Sequence, residues 1–536
     1  MGLNSTSTTT TAIVLAMLLV AGCASTLRTT PSRQLASDGE AGACAAFFVA
    51  LDRVTGAAGV HDVGESRIAG FPYLRVNRLL AALRDEAASG PAFNDWLDRL
   101  QKLSDTARAL EIANLPANSW HNDFPRVDRA TLAMWVRHCT EVLRAEDVRD
   151  PAQRDALREG ARVEDEYETL PRILGLYPLS SVFVAQGVRR WHKNARERFT
   201  NAPPSKWRAR EYVLYSAEMG AASDHANVQR MLLRSPRDAL GLPHYSDEVL
   251  NRLFRHYAPR WVIHERSDDD RIGAAVWKSS AEPRVQVGEP VTYTRLSFAR
   301  FNGELLTQLN YIVWFPARTA QVWPDIYAGP LDGLNLRITL RADGEPLLYE
   351  SIHNCGCYYK AYPTSQLRIR ENIDYAEPPL ILAAPALDPA IHTLAVGLQS
   401  ATHYVEHLFA VPRDNAADGR SGNMTSNAGV GVGGVKTYVL RDYAVLRSLA
   451  QANGERRSLF DVHGMIPISV RPERFLLWPT GVRSPGAMRQ WGRHPVAFVG
   501  ERHFDDADAL DRMFIPAPAG HLGAEALELR VNLLTR

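Results

Sequence analysis

The sequence lacks the features that define several common classes of protein. Its 61 Lys and Arg residues are offset by 60 Asp and Glu residues, so the net charge is only +1, and no Lys- or Arg-rich arm is present. Because nucleic-acid binding depends on a basic surface, we expect no nucleic-acid partner. The sequence also has no apolar run of about 18 residues, the length that a membrane-spanning helix requires.

Motifs of several enzyme classes are missing as well. The chain has no G-x-S-x-G and no S-x-x-K, so neither a lipase-type serine nor a penicillin-binding serine is indicated. It has no P-loop, and the paired C-x-x-C spacings that make zinc sites specific do not occur. Any chemistry must therefore be sought in looser groups of residues.

The N-terminal 40 residues indicate export. Residues 12–20 form a short apolar run, AIVLAMLLV, and small residues lead from it to Cys23. A run of this length is typical of a signal peptide. The segment resembles the lipobox of bacterial lipoproteins. That resemblance implies removal of residues 1–22, lipidation of Cys23 and, because Ala24 follows instead of Asp, attachment to the outer membrane. Residues 23–40 then hold the lipidated cysteine and a flexible tether; an ordinary secretory signal is the alternative.

Export places the remaining cysteines in a compartment that permits disulfides. Cys44 shares a helical stripe with Phe48 and Leu51, and Cys139 shares one with the apolar residues at 132, 136 and 143. Two cysteines that face a helical core predict a disulfide between Cys44 and Cys139. Two buried free thiols are the alternative.

The spacing of apolar residues changes near residue 259. From 41 to 258 they recur at the i, i+3, i+4, i+7 positions of amphipathic helices, for example at 76, 79, 80 and 83. From 259 to 536, alternating runs joined by Asn302-Gly303 and Asp343-Gly344 turns predict antiparallel strands, with further strands expected at 390–411, 435–440 and 466–477. The predicted fold is α+β: a mostly helical region, then an antiparallel β sandwich or barrel-like domain with a glycine-rich insertion at 413–434.

A first candidate site follows the second strand of the hairpin at 331–357. His353, Cys355 and Cys357 alternate, so they would project from one face if the strand continued through them. Imidazole and thiolate groups suit zinc or copper. A tight disulfide between Cys355 and Cys357, or a structural corner, is the competing interpretation.

A second candidate site is the stretch His403-Tyr404-Val405-Glu406-His407. In a helix or in a strand, the two histidines would share a face. The string resembles the inverted zinc-protease motif H-x-x-E-H, which implies His403 and His407 as zinc ligands and Glu406 as the base that activates water. Polar residues spaced along a sheet are the usual alternative.

A third candidate site lies near the C-terminus, where arginine, histidine, tryptophan and acidic residues crowd into residues 471–506. Arginines beside tryptophans can hold an anionic or sugar-like ligand through bidentate hydrogen bonds and stacking. A polar network that ties the last strands to the helical half is the alternative. The candidate binding residues are Arg474, Arg489, Trp491, His494, His503 and Asp505.

These observations lead to two hypotheses about function. The first is a lipid-anchored protein of the cell envelope that binds a ligand or has a structural role, without catalysis. The second is a zinc-dependent hydrolase that acts on an envelope polymer or peptide, with His353, His403 and His407 as ligands and Glu406 as the base. The second requires the three histidines to converge around one open coordination position.

Overall fold

The computed structural model describes residues 39–201, 203–208, 211–218, 224–279, 282–413 and 432–518. The predicted signal peptide, Cys23 and all but the ends of the predicted glycine-rich insertion lie outside the described residues. Within the described ranges the protein combines α-helices with one large β-sheet. None of the helices found there is both long and apolar enough to cross a membrane.

Most of the helices lie in the first half of the chain. Some of their starts have side-chain caps: the Asn77 side chain accepts a hydrogen bond from the Leu80 N–H, and the Ser246 side chain accepts one from the Val249 N–H. The helices are α1 (Glu40–Ala57), α2 (Arg78–Ala82), α3 (Gly90–Asn114), α4 (Arg129–Arg149), α5 (Pro151–Gly160), α6 (Thr169–Leu174), α7 (Tyr177–Asn201), α8 (His225–Arg234), α9 (Asp247–His256), α10 (Arg474–Leu477) and α11 (Ala509–Met513).

The strands follow mainly in the second half. They are β1 (Ser66–Ile68), β2 (Phe71–Val76), β3 (Tyr212–Ala217), β4 (Arg260–His264), β5 (Ala274–Trp277), β6 (Pro283–Gln286), β7 (Val291–Phe301), β8 (Glu304–Arg318), β9 (Gly329–Leu340), β10 (Pro346–His353), β11 (Lys360–Pro363), β12 (Leu367–Ile369), β13 (Leu380–Ile381), β14 (His392–Leu398), β15 (Val405–Pro412), β16 (Gly434–Asp442), β17 (Leu449–Ala450), β18 (Arg456–Arg457) and β19 (Phe514–Pro516). Eleven of them form one sheet in the order β13-β11-β10-β9-β8-β7-β16-β3-β4-β14-β15.

The two predicted turns are confirmed. Asn302 and Gly303, both with positive φ, join β7 to β8 as an antiparallel pair. Gly344, with φ of 86°, lies in the turn between β9 and β10, which are also antiparallel. Short turns of this kind require left-handed backbone that asparagine and glycine adopt at little cost. The centre of the sheet therefore has the predicted connectivity.

The predicted antiparallel domain is only partly correct. The sheet is mixed, because β3 and β7 each pair parallel with β16, β4 pairs parallel with β14, and β11 pairs parallel with β13. β3 belongs to this sheet although it lies within the region predicted to be helical. Residues 466–477 form a 3₁₀ turn and α10 in place of the predicted strand; Pro467 and Pro472 lack the N–H that a sheet ladder requires.

Both faces of the sheet are covered. On β8, Ile312 and Trp314 pack among residues of the C-terminal segment, whereas Tyr311 and Val313 pack among residues of α8 and α9. This explains why β8, β9 and β10 are buried along nearly their whole length instead of alternating between core and solvent.

The N-terminal helices form a separate apolar cluster. Phe48, Leu51, Trp96 and Leu132 are among its fully buried residues. Here the predicted disulfide is confirmed: Cys44 of α1 is bonded to Cys139 of α4, with their Cα atoms 4.9 Å apart. The bond joins the two helices whose apolar stripes predicted it.

Buried ion pairs connect the N-terminal region to the sheet. Arg447 donates to Asp62 at 2.6 Å and to Glu65 at 2.8 Å, and Arg295 of β7 lies 2.9 Å from Glu65. Burial alone would raise the pKa of Glu65, but Arg447 and Arg295 hold that pKa below its usual value. These pairs form the floor of the cleft described next.

Candidate ligand-binding cleft

An open cleft of about 730 Å³ lies between the helices and the sheet. Its walls come from α3, α9, β7 and β16. Apolar side chains contribute much of the lining, including Leu103, Leu250, Phe254, Phe298 and Trp491. A volume of this size is typical of pockets for small ligands.

Cations outnumber anions in the cleft. The cationic lining residues are Arg78, Arg99, Lys102, Arg255, Arg295, Arg441 and Arg447. The acidic ones are Glu65, Asp247, Asp442 and Asp505. An excess of positive charge between low-dielectric walls attracts anions. The cleft therefore has the electrostatic character of an anion-binding site.

Several of these cations are already neutralised. Arg99 pairs with Asp238 at 2.5 Å, and Arg441 pairs with Glu289 at 3.2 Å. Lys102 of α3 and Arg255 of α9, by contrast, are exposed and form no ion pair with any residue that the structure describes. These two side chains are the cations most available to a ligand.

Arg295 lies deeper in the cleft, between aromatic rings. Its guanidinium carbon is 5.6 Å from the Trp491 ring centroid and 5.8 Å from that of Tyr443. One nitrogen contacts Glu65, while Nε has no hydrogen-bond partner among the described residues. Arg295 thus presents a buried donor beside an aromatic face, an arrangement that suits a planar or carboxylate group.

Two of the six C-terminal candidates line this cleft. Trp491 contributes its ring, and Asp505 faces Arg78 with its Oδ1 atom 3.3 Å from Arg78 Nε. Burial raises the pKa of the Asp505 carboxyl. Asp505 therefore carries less negative charge than an exposed aspartate when the pH falls, which reduces its repulsion of an anionic ligand.

The other four C-terminal candidates lie elsewhere. Arg489 is buried, donates to the Arg483 carbonyl and lies 3.6 Å from Glu166. His494 is buried, which lowers its pKa to about 3. His503 is held between Asp165 and Asp506 at 3.2 and 3.6 Å. These three have internal partners, and Arg474 is exposed on α10 against the ring of Phe475.

His353 of the first candidate site and His403 of the second meet inside the protein. We define the histidine cluster as Asp270, Asp332, His353 and His403, all at most 2% exposed. Asp332 lies 2.8 Å from His403 Nδ1 and 3.4 Å from His353 Nδ1, and His403 Nε2 lies 3.6 Å from Asp270. The His403 ring stacks on Phe315 with centroids 3.8 Å apart. The cluster is closed to solvent.

The two histidines have opposite electrostatic environments. Burial lowers the pKa of His353, and proximity to Asp332 only partly offsets it. His403 is equally buried, yet the nearby carboxylate of Asp270 and the hydrogen bond to Asp332 raise its pKa above the usual value. The two histidines in turn hold the pKa of Asp332 far below its usual value, against the effect of burial. The two carboxylates therefore favour the protonated form of His403.

The predicted shared face of His353, Cys355 and Cys357 is wrong. β10 ends at His353, and the chain then turns, with the His353 N–H donating to the Cys357 carbonyl at 3.0 Å. Gly356 has φ of 91°, and a Cβ there would collide with the Pro495 carbonyl, so the tight turn depends on glycine. Cys355 and Cys357 are buried free thiols.

The predicted shared face of His403 and His407 is also wrong. His403 lies before β15 with φ of 50°, so the five residues do not form one regular element. His407 stacks on Phe199 with centroids 4.6 Å apart and also contacts Trp207. Glu406 is half-buried, which raises its pKa despite the nearby charges of Lys360 and Arg198.

The predicted zinc ligands His353, His403 and His407 therefore do not converge as the second hypothesis requires. His353 and His403 share Asp332, whereas His407 has different neighbours. Across the described ranges, no group of three or more His, Cys, Asp and Glu residues is arranged to hold a metal ion.

The sequence analysis did not identify the three cations of the cleft that are most suited to bind a ligand. Lys102, Arg255 and Arg295 come from two helices and a strand that are far apart in the chain. Lys102 and Arg255 read as ordinary solvent-facing helix residues. The one local signal was Arg295 within the run of β7, where a charged side chain lies on a strand that begins with buried residues.

Comparisons of the chain with protein-family models, with curated proteins and with solved structures give no match.

Proposed function

We propose that this protein is a lipid-anchored binding protein of the cell envelope, without catalysis, and that its cleft takes an anionic ligand with an apolar part. The observation that carries the proposal is the pair Lys102 and Arg255, two cations without ion-pair partners among the described residues, on a cleft of about 730 Å³ with apolar walls. Such a site offers charge to one end of a ligand and apolar surface to the other.

The interior of the cleft adds specificity. Arg295 is held in place by Glu65 and lies against Trp491. A side chain fixed by such contacts loses little entropy when it binds a ligand. The Arg295 side chain is 20% exposed, so its guanidinium is available to a carboxylate or phosphate group in the cleft.

Calorimetric titration of the full chain with inorganic phosphate and with decyl phosphate tests the proposed ligand class. Decyl phosphate should bind at least about tenfold more tightly than phosphate, because a buried methylene contributes about 0.8 kcal/mol. The double variant Lys102→Gln/Arg255→Gln should weaken decyl phosphate about tenfold, which corresponds to about 1.4 kcal/mol.

A matched control uses Arg284→Gln/Arg368→Gln. These two arginines are also exposed and form no ion pair among the described residues, but they do not line the cleft. The control should bind like the unmodified protein. Equal weakening by both double variants, or no binding of decyl phosphate at all, would refute the proposed ligand class.

The envelope anchor is tested separately. Mass spectrometry of the mature protein from a bacterial host should find residue 23 acylated and at the N-terminus, and Cys23→Ser should abolish that species. An N-terminus at another residue, without acylation, would replace the lipid anchor with an ordinary secreted form and leave the cleft proposal unchanged.

A further inference from the structure

A second surface shares no residue with the cleft and exposes large apolar side chains. We define the apolar platform as Leu176, Leu179, Val182, Phe183, Phe475 and Leu476. Each is at least 60% exposed, and Phe183 reaches 76%. Scattered exposed apolar residues are ordinary on protein surfaces, but a contiguous group of this size marks an interaction site.

The two segments of the platform are joined close to their ends. Gly175, just before α7, lies against Pro479 so closely that a Cβ on the glycine would collide with it. Arg172 Nε also donates to the Thr480 carbonyl at 2.8 Å. These contacts and those of α7 with residues 478–480, the turn that directly follows α10, bring the exposed apolar residues of α7 and α10 to one junction.

The charges around the platform indicate what covers it. Residues 169–196 include five Lys or Arg residues and no Asp or Glu. The first twelve residues of α7 carry no charge at all, and Arg189, Arg190 and Lys193 follow and are exposed. Lys193 lies 3.9 Å from Glu197, whereas Arg189 and Arg190 form no ion pair among the described residues. An apolar stripe next to an excess of cations fits a bilayer with anionic headgroups.

We propose that the apolar platform docks on an anionic lipid surface, with Leu179, Val182 and Phe183 inserted among the acyl chains and Arg189, Arg190 and Lys193 at the headgroups. This inference goes beyond the proposed function and does not depend on lipidation of Cys23. α7 lies in the membrane interface and does not cross it.

The test places an environment-sensitive fluorophore on the platform. The full chain with Cys23→Ser is labelled with NBD at Phe183→Cys or, as a control, at Leu233→Cys, since Leu233 is 64% exposed on α8 away from the platform. Cys355 and Cys357 are buried and should not react under native conditions. Both proteins are mixed with vesicles of phosphatidylethanolamine and phosphatidylglycerol, and with vesicles of phosphatidylcholine alone.

The label at 183 should shift to the blue, gain intensity and be quenched by doxyl-labelled lipid in the anionic vesicles, and respond less in phosphatidylcholine. The label at 233 should not respond. Adding Leu179→Asp/Val182→Asp should weaken the response at 183 about tenfold or more, because both changes replace an inserted apolar side chain with a charged one.

Two outcomes would overturn the inference. One is a label at 183 that behaves like the label at 233 with vesicles. The other is a blue shift at 183 that grows with protein concentration in the absence of vesicles, which would make the platform a contact between copies of the chain. Decyl phosphate binding by Leu179→Asp/Val182→Asp should be unchanged, so failure here is separable from failure of the cleft proposal.

Discussion

The histidine cluster and the cationic cleft both contain charged side chains, but these side chains find partners in different ways. In the cluster, Asp332 contacts both His353 and His403, and Asp270 accepts from the Ser400 hydroxyl and the Ala401 N–H. In the cleft, Lys102 and Arg255 have no ion-pair partner among the described residues. Groups with protein partners contribute to stability, whereas groups without them remain available to a ligand.

The cluster has a clear structural role. Asp270 also accepts from the Arg266 and Ser267 N–H groups at 2.8 and 3.1 Å. Through His403 and Asp332 it fixes the turn at 400–403 against the start of β9. Three separate parts of the chain thus meet at one buried group of charges. The difference between the two regions predicts that cluster variants change stability and that cleft variants change binding.

The largest expected effect comes from breaking the cluster. Asp332→Asn removes the carboxylate that balances His403, and an unpaired buried charge typically costs about 3–5 kcal/mol. Urea unfolding should show this loss in the free energy of unfolding. Asp374→Asn is the matched control, because the Asp374 side chain is fully exposed; it should leave stability within about 0.5 kcal/mol. Equal stability of the two variants would contradict the structural role of the cluster.

The second effect concerns the disulfide in the helical region. Cys44→Ser/Cys139→Ser should lower the free energy of unfolding by about 2–5 kcal/mol, because the bond closes a long loop in the unfolded chain. Decyl phosphate binding at low temperature should be unchanged. A loss of binding in a variant that is still folded would show that the helical core and the cleft are coupled.

A smaller effect is a pH dependence of stability due to His403. Because its pKa is raised in the folded state, its contribution is fully present below its ordinary pKa near 6.5 and is lost as the pH rises through the folded value. His353 acts in the opposite sense: its lowered pKa makes the folded state lose stability as the pH falls below 6.5. His403→Asn should remove the loss of stability at alkaline pH, which is due to His403. It should keep the loss of stability at acidic pH, which is due to His353. The free energy of unfolding between pH 5 and 9 measures both slopes, and an unchanged alkaline slope would contradict the assignment.

The smallest effect on stability is expected in the cleft. Lys102→Gln/Arg255→Gln changes two exposed side chains without ion pairs, so the free energy of unfolding should stay within about 0.5 kcal/mol. Urea unfolding beside Arg284→Gln/Arg368→Gln provides the comparison. A loss of several kcal/mol would mean that these residues have structural contacts, and would remove the distinction between the two regions.

Local patterns in the sequence were sufficient for parts of the fold. Asn302-Gly303 and Asp343-Gly344 determine hairpins because the turn chemistry acts over a few residues. Cys44 and Cys139 were paired from the apolar stripes of their helices. The mixed pairing of the sheet was not predictable in this way, since β3 and β16 come together from distant parts of the chain and nothing local sets their direction.

The candidate sites show the same limit. The first two assumed that a regular element continued through the motif, and the positive φ angles at His403 and Gly356 ended that regularity. His353 and His403 still approach each other, but through Asp332, which no motif included. Lys102, Arg255 and Arg295 meet only because the chain folds them onto one cleft.

The most direct test of the account is the affinity for decyl phosphate of two variants measured side by side at low temperature, with folding verified by circular dichroism. We expect Lys102→Gln/Arg255→Gln to bind about tenfold more weakly than the unmodified chain, and His403→Asn to bind with unchanged affinity despite its lower stability. Unchanged binding in the cleft variant, together with a loss of binding in the folded His403→Asn variant, would contradict the account and move the ligand site to the histidine cluster.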